Sequence, residues 1–94
     1  MTEREIRICS WVSGSATEER SGLLGYLSIF YGDLVLDGLV LRRTAEGRFT
    51  LSFPARTDRA GRRHSYFRPL DDQTRRKLER EIFAALSIEQ EAQP

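Results

Sequence analysis

The hydrophobic and polar positions fall into short alternating runs before they change period. In "EIRICSWV", Ile6, Ile8, Ser10 and Val12 point one way while Arg7, Cys9 and Trp11 point the other, which predicts a strand. Residues 13–22, "SGSATEERSG", are small and polar and read as a mobile loop. "LLGYLSIFY" and "LVLDGLVLRR" are two further strands, and the Gly32-Asp33 pair between them predicts a hairpin. Gly38 inside the third strand points to a bulge or a close backbone approach. "RFTLSF" alternates again, with Phe49, Leu51 and Phe53 on one face, and Pro54 ends it because proline has no N–H for a ladder. "TDRAGR" turns around Gly61, and "HSYFR" is a short fifth strand closed by Pro69.

From Asp71 the period becomes helical. Leu78, Ile82, Ala85 and Leu86 share a stripe, Asp71 or Asp72 is the N-cap, and the helix is expected to end near Ser87. About five strands followed by one helix is an α+β pattern: a small antiparallel sheet with a C-terminal helix packed on it. The chain reads as a single domain over residues 1–87 with a frayed tail at 88–94.

Composition adds two limits. Ninety-four residues bury a modest core, so a second copy of the chain is a plausible source of stability. The single cysteine, Cys9, forms no internal disulfide, and no apolar leader opens the sequence; both point to the cytoplasm. Cys9 and Trp11 read most simply as packing residues. With one histidine and one cysteine, a zinc site is not expected, and no phosphate loop or nucleophile elbow occurs. His64 and Ser65 are adjacent on a strand and point to opposite faces, which is poor geometry for a nucleophile and its base. No enzymatic activity, cofactor or metal is expected.

Charge changes the picture more. The net charge is only +1, yet residues 1–41 hold three arginines against six acids, and residues 42–81 hold eleven arginines and Lys77 against six acids. Within "ARTDRAGRRHSYFRP", residues 55–69, five arginines meet one acid, Asp58. Arg56, Arg59, Arg62 and Arg63 are expected on or beside a hairpin loop. On the helix, at about 100° per residue, Gln73, Arg76, Lys77, Arg80 and Ala84 gather opposite Leu78 and Ile82. Cations in the first turns oppose the helix dipole, and Arg76 repels Arg80, so these choices weaken the helix slightly. The alternative is a salt-bridged face, with Glu79 pairing Arg75 or Arg76 and Lys77 pairing Glu81. A joint surface of loop and helix cations suits phosphate, which arginine grips through a planar fork. Tyr66 and Phe67 alternate in the same stretch, so one is available to stack on a base while the other packs inward; the simpler alternative is core or dimer packing.

The order of Gly47, Phe49, Pro54, Arg56, Gly61, Pro69, Thr74 and Arg75 resembles the stage V sporulation protein G family of bacterial septation regulators. In that family a Met-Pro-Ser-Arg run is followed by a glycine, then by a Pro-Ile-Asn segment leading to Thr-Arg at the helix start. The resemblance spans about four-fifths of the chain and is most specific from Pro54 to Arg75. It implies a strand-mediated homodimer that binds DNA or RNA as a regulator, with Arg56 and Arg75 in the binding surface. Arg59, Arg62, Arg63, Arg76, Lys77 and Arg80 join them from the loop and helix-face argument. The other reading is a dimeric scaffold whose arginines meet an acidic protein partner.

Overall fold

In the computed structural model, residues 6–86 are described. Their order is β1 (Ile6–Ser13), α1 (Ala16–Arg20), β2 (Leu23–Tyr31), β3 (Leu34–Arg43), β4 (Phe49–Ser52), β5 (Ala55–Thr57), β6 (Arg63–Ser65) and α2 (Asp72–Ala85). β1 to β4 form an antiparallel meander in sequence order, and β5 and β6 form a separate two-stranded ribbon. This is the expected α+β fold with two refinements. There are six strands, because Ala55–Thr57 pairs with Arg63–Ser65, and the last strand stops before Tyr66. The tail at 88–94 lies outside the described residues.

The core forms where α2 crosses one face of the meander. Leu27, Ile29, Leu39, Leu41, Leu51 and Phe53 of the sheet side meet Ile82 and Phe83 of the helix. The sequence stripe placed Ala85 in this interface. It is exposed instead, and Phe83 takes the inward position. The Phe83 ring meets Phe49 edge-on, 6.2 Å between centroids. Asp71 caps α2 by accepting the Thr74 N–H at 2.8 Å.

Register shifts in β1, at the start of β2 and in β3 decide which residues face the helix. In β1 the pairing passes from Ile8–Ile29 to Ser10–Ser28, so Cys9 is the extra residue. Ile8 and Ser10 therefore lie on opposite faces, and the single alternation expected for this strand is broken. Trp11, opposite Leu27, joins the helix-facing side, while Ser10 meets Ser28 across the other face with their hydroxyl oxygens 2.6 Å apart. Cys9 is exposed rather than packed. Trp11 lies over Gly25, where a Cβ would fall 2.4 Å from the indole, so no larger residue fits. In β3 the register shifts across Asp37 and Gly38, and Gly38 adopts φ 83° beside Pro54. This is the bulge that the glycine signalled.

Residues 13–22 are not simply a loop. Ser15 caps α1 through a reciprocal capping box: its hydroxyl accepts the Glu18 N–H at 3.1 Å, and its own N–H donates to Glu18 Oε1 at 2.8 Å. The Tyr26 hydroxyl donates to Glu18 Oε2 and ties α1 to β2. That bond is the main cause holding the Glu18 carboxyl below, and the Tyr26 phenol above, their usual ranges. The Ser15-x-x-Glu18 spacing is the sequence signal for this cap, inside a segment whose Ser-Gly pairs read as a loop.

Candidate nucleic-acid interface

The arginine-rich segment is built around its one acid. Asp58 Oδ1 accepts the N–H groups of Ala60 and Arg62, each at 2.9 Å, and Oδ2 lies 2.7 Å from His64 Nε2. The Asp58 and Arg62 main chains close the loop at 2.9 Å, with Gly61 at φ 83° in the turn. The His64 contact, followed by the Arg62 N–H, holds the Asp58 carboxyl below its usual value of 3.8. Asp58 thus spends its acceptors on the loop itself. His64 is a surface strand residue, as its position implied, and it has a partner.

Strand pairing sorts the hairpin arginines. Arg56 faces His64, while Thr57 faces Arg63, so Arg56 and Arg63 lie on opposite faces of the ribbon. The Arg63 side chain turns back to the sheet and donates to the Phe53 carbonyl at 3.3 Å. The face carrying Arg56 consequently points away from the sheet. Arg59 and Arg62 are exposed in the loop between the strands.

The helix divides its cations in a similar way. Arg75 is half-buried: its guanidinium donates to the Leu51 carbonyl and lies 5.5 Å from the Phe53 ring centroid. Glu79 accepts the Leu51 N–H at 3.1 Å and lies 3.5 Å from Arg75 Nε. Of the pairings weighed for Glu79, the one with Arg75 is formed. Leu51 sits on β4, which among the described residues pairs only with β3, and both of its main-chain groups are taken by α2 side chains on the open side of that strand. The Phe53 carbonyl, two residues on, points the same way. Arg63, Arg75 and Glu79 therefore close the free edge of β4, a row of main-chain groups that is otherwise open to a foreign strand.

The remaining candidates are presented outward. Arg76, Lys77 and Arg80 are exposed on α2, as the helical-face argument required. Among the described residues, the side chains of Arg56, Arg59, Arg62, Arg76 and Arg80 have no carboxylate within ion-pair distance. The aromatic pair divides as its alternation implied: Phe67 packs edge-on against Phe53 at 6.1 Å, and Tyr66 is 66% exposed. Arg48 was not singled out in the sequence, because it lies in the turn before β4 and away from both clusters. In the structure it lines a groove together with Arg76.

Among the described residues, no cluster of His, Cys, Asp and Glu is placed to hold a metal ion, and no helix is long and apolar enough to cross a membrane. No protein-family model, curated protein or solved structure matches this chain.

Proposed function

We propose that this chain is a non-enzymatic, cytoplasmic, nucleic-acid-binding regulator related to the stage V sporulation protein G family, acting as a homodimer. One observation carries the reading: five exposed arginines, three on the hairpin and two on α2, stand without an acidic partner among the described residues. Surface arginines in an ordinary solvated face are commonly laced with Glu and Asp at helical or cross-strand spacing. Here three of the acids serve other groups: Asp58 holds its own loop, Asp71 caps α2 and Glu79 holds Leu51. Unpaired guanidinium groups remain available for phosphate oxygens, while Tyr66 offers an exposed ring to an unstacked base. The motif from Pro54 to Arg75 supports the family reading, and β1, which among the described residues is an edge strand paired only with β2, is a suitable seam for a second copy.

Phosphate contacts supply affinity and salt dependence but little sequence discrimination, so weak sequence preference is expected. The test is fluorescence anisotropy with labelled single-stranded RNA, single-stranded DNA and duplex DNA across a salt series. Affinity that falls with salt supports the reading, with a slope of about 0.7 for each arginine engaged on a single strand. No binding to any of the three at low salt overturns it and favours an acidic protein partner.

A further inference from the structure

A groove of about 360 Å³ runs between the turn preceding β4 and the first turns of α2. That volume falls in the range of about 300 to 1,000 Å³ typical of small-molecule sites. Thr44, Glu46, Arg48, Phe49, Asp72 and Arg76 line it. Arg75 and Glu79 also border it, but both are committed to Leu51. The other four charges have no side-chain partner among the described residues. Arg48 and Arg76 approach from different elements, and neither forms an ion pair with Glu46 or Asp72, although all four line the same hollow.

This mixture selects for a particular chemistry. Two free guanidinium groups favour an anion, whereas two free carboxylates disfavour one unless it brings hydrogen-bond donors with it. Phe49 adds an aromatic wall, fixed by its edge contact with Phe83. An anion, hydroxyl donors and a flat apolar ring together describe a ribonucleotide. A deoxyribonucleotide lacks the 2′-hydroxyl, the donor that lets a protein tell RNA from DNA. The bases of a duplex are stacked and paired, so a single strand is required.

We propose that this groove takes one ribonucleotide unit of single-stranded RNA. Arg48 and Arg76 hold the phosphate, Phe49 lies against the base, and Glu46 or Asp72 accepts a hydrogen bond from the 2′-hydroxyl. The inference rests on the nucleic-acid reading above and sharpens it by naming RNA over DNA and adding Arg48, Glu46 and Asp72 to the surface.

The experiment compares three labelled single strands of one mixed sequence at one salt concentration: RNA, DNA and 2′-O-methyl RNA. Wild-type protein is expected to bind RNA about fivefold or more tighter than either of the others, the size of one hydrogen bond. Glu46→Ala combined with Asp72→Ala is expected to bring the RNA-to-DNA ratio close to one, and Arg48→Ala to weaken RNA binding. The 2′-O-methyl strand tests the same contact without altering the protein. Equal binding of all three strands by wild type overturns the ribonucleotide assignment and leaves nucleic-acid binding standing. A preference for RNA that survives the double substitution overturns the role of Glu46 and Asp72. Failure to bind any strand at low salt removes both readings together.

Discussion

At the free edge of β4, Arg63 and Arg75 are held by main-chain carbonyls. On the outer faces of the hairpin and α2, Arg56, Arg59, Arg62, Arg76 and Arg80 have no acidic partner among the described residues. The residue type is the same and the sequence separation is small: Arg62 adjoins Arg63, and Arg75 adjoins Arg76. What differs is direction. Arg62 lies in the hairpin loop whereas Arg63 opens β6 within reach of Phe53, and a helix rotates each residue by about 100°, so one member of each pair meets the sheet and the other meets solvent. A basic cluster in sequence is therefore two populations in space. One closes an edge against unwanted strand pairing, and the other is available to a partner.

The largest effect that separates the two populations is expected from Glu79→Ala. It leaves the N–H of Leu51, a fully buried residue, without its acceptor and removes the carboxylate beside Arg75. Urea unfolding should show a loss of about 1 to 3 kcal/mol, the cost of an unpaired buried donor. Unchanged stability would mean that the edge is not held this way. The folded fraction should bind nucleic acid as before.

The converse substitution, Arg76→Ala with Arg80→Ala, should leave stability within about 0.5 kcal/mol of wild type, as surface changes generally do. Its effect belongs to binding: the salt slope on a single strand should shrink by about 1.4, or 0.7 for each lost phosphate contact. An unchanged slope would exclude the helix face and leave the hairpin as the contact region.

The smallest effect concerns the loop that presents the hairpin arginines. The Asp58 carboxyl is held below its usual value of 3.8, first by His64 and then by main-chain N–H groups. A carboxyl depressed in the folded state contributes stability that is present above its unfolded value and is lost as pH falls through the folded value. Thermal unfolding followed from pH 5 down to about pH 2 should therefore show wild type losing more stability than Asp58→Asn, which has no such titration. Parallel acid profiles would show that the Asp58 contacts do not organise the loop in solution.

Much of this fold was legible from local pattern. The β2–β3 hairpin, the Gly38 bulge, the Phe49, Leu51 and Phe53 face, the Gly61 turn and the Asp71 cap each follow from residues close in sequence. The exposed character of Arg56, Arg59, Arg62, Arg76 and Arg80 was legible for the same reason. The face change at Cys9 was not, because a β-bulge is defined by the partner strand and the β1 residues alternate without interruption. The hydrogen bond made by Arg75 was not legible for a related reason. A long side chain at the border of a helix face reaches whatever backbone lies beneath, and here that is Leu51. Arg48 had no sequence signal at all, since its neighbourhood with Arg76 exists only once α2 folds back over the sheet.

The sequence by itself determined the elements and the location of the charge, because periodicity, turn chemistry and capping act over a few residues. Only the tertiary structure decided which arginines are occupied and which are free. Whether a guanidinium finds an acceptor depends on groups some ten to twenty-five residues away, Phe53 for Arg63 and Leu51 for Arg75, brought within hydrogen-bond reach by packing of the core.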